Sequence, residues 1–164
     1  MKKRVLLCFL SLIILPCLIT SESYSQEKEG PLIVHFAYAQ PKIRQGEVWR
    51  IYVSITDPDA RMFRIVGAIE QPGSHYQPTT IYLKKGMEKK LSGFFAFHTT
   101  SARDLSGEEL TLHLTILDRE GNERKTLSFP LEFNGERMKP LPPDMEKDLN
   151  QRIGIIDVDF GIDD

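Results

Sequence analysis

The chain has 164 residues, with 21 Lys and Arg against 23 Asp and Glu, 41% hydrophobic residues and two cysteines. The basic residues are scattered along the sequence, which disfavours the clustered basic and aromatic surface of a nucleic-acid binder. Both cysteines, Cys8 and Cys17, lie near the start, so the rest of the chain has no thiol for a disulfide frame or a thiolate metal site.

Residues 1–25 read as a signal peptide. Met1-Lys2-Lys3-Arg4 is a short cationic start, Val5 to Ile19 is apolar except for Ser11 and Pro16, and Thr20-Ser21-Glu22-Ser23 turns polar at once. This three-part layout addresses a chain for export. The run is shorter than the roughly 20 residues of a spanning helix. Ser23-Tyr24-Ser25 offers small-x-small cleavage before Gln26, and Ser21-Glu22-Ser23 offers a second site. Lipidation at Cys17 is the one route to a membrane tether, but Pro16 stands where a small residue is wanted. Cys17 otherwise reads as an ordinary apolar residue of the leader. Lys2, Lys3, Arg4 and Glu22 contribute +2 to the whole-chain charge of −2, leaving −4 on the exported part. The expected location is periplasmic or secreted.

From residue 31 to 133 the apolar period is two, which predicts strands. Leu32, Val34, Phe36 and Tyr38 share one face of the first segment. Trp49, Ile51, Val53 and Ile55 alternate with polar residues in the second. Phe63, Ile65 and Ile69 share a face of the third around Gly67, and Thr79, Ile81 and Leu83 mark a short fourth. Leu91, Phe95 and Phe97 point inward around Gly93 in the fifth. Leu110, Leu112, Leu114 and Ile116 form the sixth, and Leu127, Phe129, Leu131 and Phe133 the seventh. Turn residues separate these runs: Asp57-Pro58-Asp59-Ala60 suits a type I turn and Pro72-Gly73 a type II turn. Lys84-Lys85-Gly86 and Glu120-Gly121-Asn122 read as hairpin closures. Pro130 cannot donate to a ladder, which puts the seventh strand at an edge or a bulge.

Strands with one apolar face must bury it against a second sheet. The expected fold is therefore all-β: a seven- to eight-stranded antiparallel sandwich over residues 26–135. Trp49 in an early core strand, followed by the Asp57-Pro58-Asp59 loop, makes residues 31–133 resemble an immunoglobulin-like β-sandwich domain of bacterial exported proteins. That resemblance implies a fold shared by adhesion, binding and spacer modules.

Residues 136–164 differ. Lys139-Pro140-Leu141-Pro142-Pro143 reads as a stiff linker. Residues 144–153 suit a short helix ended by Gly154. Ile156, Val158, Phe160 and Ile162 then alternate as one more strand. Such a strand on a proline tether either packs on its own sandwich or, as a partner-binding element through Ile156, Val158 and Phe160, adds to an open sheet edge of another chain.

Asp57 and Asp59 can offer oxygens to calcium, and the resemblance to calcium-binding exported repeats points the same way. Ala60 and Arg61, however, stand where those repeats have a glycine and a third acid. The alternative is a turn whose aspartates cap their own backbone. His35, His98 and His113 fall on polar strand faces, without the third ligand that a metal site needs. Tyr52, Tyr76, Tyr82 and Phe94 read as exposed aromatics, and the polar loop from Thr99 to Glu108 as a candidate recognition surface. Nucleophile-elbow and phosphate-loop motifs are absent, and the carboxylate pair Glu108-Glu109 would point to opposite faces of a strand. The chain thus reads as an exported, non-enzymatic module for a protein or cell-envelope partner. It needs no cofactor and no nucleic acid, and touches a membrane only if lipidated at Cys17. A calcium-stabilised adhesion-type domain using the Asp57-Pro58-Asp59 loop is the alternative.

Overall fold

The computed structural model describes residues 30–99, 104–141, 147–158 and 160. The expected leader, residues 1–25 with Cys17, lies outside them. Ten strands occur in chain order: β1 (Ile33–Ala39), β2 (Lys42–Ile43), β3 (Val48–Thr56), β4 (Arg64–Gln71), β5 (Ser74–His75), β6 (Thr79–Tyr82), β7 (Lys90–His98), β8 (Glu109–Leu117), β9 (Glu123–Phe133) and β10 (Arg152–Ile156). They form two sheets. One has four strands in the order β1-β3-β7-β10. The other has six, β2-β9-β8-β4-β5, with β6 also paired to β4. The protein is therefore nearly all β, but the sheets are mixed, because β10 runs parallel to β7 and β2 parallel to β9. A purely antiparallel sandwich is the expectation this corrects. Each parallel partner arrives by a route other than a tight hairpin, as parallel pairing requires.

The inward faces follow the predicted alternation. Trp49, Ile51, Val53 and Ile55 from β3 meet Leu112, Leu114 and Ile116 from β8 and Phe129, Leu131 and Phe133 from β9 in one core. The Trp49 indole N–H donates to the Gln40 carbonyl at 2.7 Å, which satisfies the polar end of a fully buried ring. Pro130 is tolerated because β9 is nearly an edge. Its outer side meets only β2, at Glu132 and Phe133. Glu132 N–H points that way, to the Pro41 carbonyl, so the Pro130 nitrogen two residues earlier faces the open side.

Four local expectations change. The first segment does not keep one face. A bulge between Val34 and Phe36 pairs Val34 with Ile55 but Phe36 with Ser54 and Tyr38 with Tyr52. Phe36 and Tyr38 are thereby turned outward. Lys84-Lys85-Gly86 is no hairpin, since β6 pairs with β4 and β7 lies in the other sheet. Residues 147–149 form a single helical turn, and Gly154 lies inside β10. Finally, β10 begins four residues before the predicted strand. Ile153 and Ile156, three apart, are both buried because the register shifts between Arg152 and Gly154.

Candidate functional site

Asp57 is fully buried and organises its turn. Its side chain accepts from Asp59 N–H and Arg61 N–H, both at 3.1 Å. Its carbonyl accepts from Ala60 N–H, and Ala60 adopts a φ of 55°. The Arg124 guanidinium lies against both acids, 3.1 Å from Asp57 Oδ1 and 3.2 Å from Asp59 Oδ2. Gly30 N–H donates to Asp59 as well. The positive charge beside these carboxylates is thus supplied by the chain, and calcium entering here would have to displace a buried guanidinium. Among the described residues no group of three or more His, Cys, Asp or Glu is placed to hold a metal ion.

The next turn mirrors this one. Asp118, also fully buried, accepts from Asn122 N–H, Asn122 Nδ2 and Arg61 Nη2 at 2.8, 3.1 and 2.9 Å. Burial opposes its charge. The Asn122 bonds and the Arg61 cation outweigh burial and hold the carboxyl below its ordinary range. Arg61 leaves the Asp57 turn to reach Asp118, and Arg124 leaves the Asp118 hairpin to reach Asp57. This reciprocal clasp ties the end of β3 to the β8–β9 hairpin across the two sheets.

The tail residues singled out in the sequence lie on their own sandwich. Ile156 is fully buried and Phe160 nearly so. Phe160 meets Tyr76, Phe97 and Phe133 edge-to-face, with centroids 5.5, 5.8 and 6.4 Å apart. Val158 is half-buried beside the core. Three glycines make this docking possible. A Cβ on Gly93 would lie 2.1 Å from the Gln151 carbonyl oxygen. One on Gly154 would lie 2.8 Å from Ile81, and one on Gly67 3.4 Å from Ile156. Gly93 and Gly67 interrupt apolar runs in the sequence, the usual sign of a close backbone approach.

The outer face of the six-stranded sheet is polar and internally bonded. His113 bridges Ser128 Oγ and Glu70 Oε2, at 2.9 Å each, and Thr115 meets Thr126 at 2.9 Å. Ser128, His113 and Glu70 stand in line like an acyl-transfer triad. They sit on flat paired strands, though, where successive amides point alternately to opposite edges, so the strands aim no pair of donors at one point beside Ser128. At one end Glu70, Glu108, Glu109 and Glu132 border an open hollow of about 760 Å³. Glu132 there pairs with Lys42 at 2.7 Å.

The outer face of the four-stranded sheet is different. Tyr38, Tyr52, Phe94 and Arg152 are cross-strand partners in one row over β1, β3, β7 and β10, and the Arg50 guanidinium lies 5.2 Å from the Phe94 ring centre. The segment after β9 crosses this face as a strap. Met138, Leu141 and Leu149 pack on Phe36, Tyr52 and Phe94, so Tyr52 is buried, in contrast to the expected exposed aromatic. Gln40 anchors the strap: its amide N–H donates to the Arg137 carbonyl at 3.1 Å and its oxygen accepts from Lys139 N–H at 2.7 Å. Glu47 accepts from Met138 N–H.

Five large hydrophobics are exposed among the described residues: Ile33, Tyr38, Val48, Ile155 and Tyr82. The first four all point outward from the four-stranded sheet, being partnered with Thr56, Tyr52, His98 and Ala96 on its outer side. Arg50, Lys90 and Arg152 project from the same side, and Arg137, Lys139 and Lys147 lie exposed on the strap. Among the described residues Glu47, Glu136 and Asp148 stand against these six cations, and the strap's sequence between Leu141 and Lys147 adds Asp144 and Glu146. The described basic residues remain scattered over the molecule, and six of the sixteen lie on this face and its strap. These six come from three strands and a strap, so no linear window contains them. Of the Thr99–Glu108 loop, Thr99 and residues 104–108 are described: Thr99 and Leu105 are buried, while Asp104, Ser106 and Gly107 are exposed.

No family model matches the chain, and no curated protein sequence matches it. No helix of the described residues is long and apolar enough to cross a membrane.

Proposed function

We propose that this chain is an exported binding module without catalytic activity, which engages an envelope partner through the outer face of its four-stranded sheet. The observation that carries this reading is the concentration there of four of the five exposed large hydrophobics. Side chains of this size exposed on one side of a sheet offer apolar contact to a partner. The leader-like residues 1–25 support export.

The strand division also favours an immunoglobulin-like sandwich. In that fold the first, second and fifth main strands share one sheet and the third, sixth and seventh share the other. β1, β3 and β7 against β4, β8 and β9 divide in the same way. The fourth strand here joins β4 through β6, and β10 takes the vacant edge beside β7.

The test is photo-crosslinking in living cells from a reactive residue at position 38 or 155, with position 113 on the opposite face as control. Adducts from 38 and 155 but not from 113 are expected. Equal labelling from all three positions, or recovery of the chain only in the cytoplasm, refutes the reading.

A further inference from the structure

We infer that Asn134 is a site of spontaneous covalent modification, which deamidates to isoaspartate and so loosens the strap at its root. Asparagine is among the chemically labile residues. The chain has three, and Asn134 alone precedes a glycine. The pair stands there because the bend leaving β9 needs a φ of 82° at Gly135, which glycine adopts at little cost. Residues 134–137 are all exposed, so water reaches the pair. A Cβ on Gly135 would meet nothing within 4 Å, so no neighbour crowds the reacting atoms.

The reaction needs a free backbone nitrogen and a polarised side-chain carbonyl. Gly135 N–H has no hydrogen bond among the described residues. Asn134 Oδ1 accepts from Glu136 N–H at 3.1 Å, an Asx turn that draws electrons from Cγ. Arg44 Nε and Nη2 donate to the Gly135 carbonyl at 3.3 and 3.2 Å, which sets a cation near the anion formed as the nitrogen attacks. The bond from Gly135 N to Asn134 Cγ forms, the Cγ–Nδ2 bond breaks, and Nδ2 leaves as ammonia, taking up the proton from Gly135 N. Water then opens the succinimide. Opening at the main-chain carbonyl routes the chain through Cβ and lengthens it by one carbon. The bend has little slack for that carbon. Before it, Asn134 N–H donates to the Ile43 carbonyl at 3.1 Å and Phe133 is buried. After it, Gln40 and Glu47 hold Arg137, Met138 and Lys139. Asn134 Nδ2 also stands 3.4 Å from Glu136 Oε1, so a hydrogen bond gives way to two neighbouring carboxylates.

The experiment is incubation of the purified full chain in warm, mildly alkaline buffer made with heavy-oxygen water, followed by peptide mapping. Label and isoaspartate are expected at residue 134, while Asn122 and Asn150 stay intact. As the product accumulates, protection from protease between residues 134 and 151 should be lost. Asn134→Gln, whose longer side chain closes a ring far less readily, should take up no label and keep its protection with age. The inference is overturned if Asn134 stays intact in the folded protein under conditions where the denatured chain deamidates there. It is overturned equally if Asn122 or Asn150 converts as fast, or if isoaspartate at 134 leaves proteolysis unchanged.

Discussion

The two outer faces of the sandwich arise from the same alternation of side chains but meet water differently. On the six-stranded sheet, outward residues satisfy one another: Ser128, His113 and Glu70 form a bonded row and Thr115 meets Thr126. On the four-stranded sheet, Ser54, Thr56, Ser92 and His98 also face outward. His35 bonds Thr56, and Ser92 donates to the Asp148 carbonyl. Ile33, Tyr38, Val48 and Ile155, however, stand exposed beside them, and a strap covers the centre. A closed hydrogen-bond row leaves little for a partner to satisfy. Exposed apolar side chains leave contact area open. The comparison therefore separates a finished surface from an available one.

The largest break in this comparison comes at Gly93. Its φ of 147° belongs to glycine, and a Cβ there would collide with the Gln151 carbonyl, which accepts from Phe94 N–H at 2.9 Å. Gly93→Ala should cost about 3 kcal/mol or more. Most of the loss should come from undocking the strap and β10. Limited proteolysis should then cut first between residues 134 and 151 and expose Tyr52. If the variant melts like the parent and resists protease, the tail is not held through Gly93.

The clasp between the turns serves both sheets, so its loss calibrates the two faces against each other. Arg124→Ala leaves buried Asp57 without its cation and should cost about 3 kcal/mol, measured by denaturant unfolding. Asp118 adds a pH signature. Its folded-state carboxyl titrates below the ordinary value of 3.8. The stability it contributes is therefore complete above that value and lost as pH falls through the lower, folded one. Asp118→Asn should be less stable near neutrality and lose less further stability on acidification below about pH 4. An acid limb as steep as the parent's would assign the acid sensitivity elsewhere.

How much of this was legible in sequence varied with the range of the interaction. The inward face of β3, β8 and β9 was legible because period two is local. Trp49 to Ile55 and Leu110 to Ile116 are buried as their spacing requires. The first strand's outward turn was not, because a one-residue bulge leaves no residue-type mark at His35. The strap was half legible. Its prolines announced an extended segment, but Gln40, which holds it, acts across 97 and 99 residues. The row Tyr38-Tyr52-Phe94-Arg152 was invisible because its members are neighbours only across strands. Gly67 and Gly93 were the legible clue to the tail's docking, since glycine within a strand pattern signals another backbone or side chain close by.

The smallest effects sharpen the comparison most. His113→Ala removes the centre of the bonded row and leaves Ser128 and Glu70 on a partly exposed surface. It should cost about 0.5–1.5 kcal/mol, the net worth of such hydrogen bonds. Tyr38→Ser removes a ring that is 43% exposed and sits 6.4 Å from Phe36. It should change stability by no more than about 0.5 kcal/mol, as surface substitutions do, while lowering association with the partner. The two variants thus move in opposite senses: His113 acts in folding with little role in binding, and Tyr38 the reverse. A Tyr38→Ser domain that unfolds as readily as His113→Ala and still associates normally would show that the aromatic row is another self-satisfied surface. The difference between the faces would then be one of residue type alone.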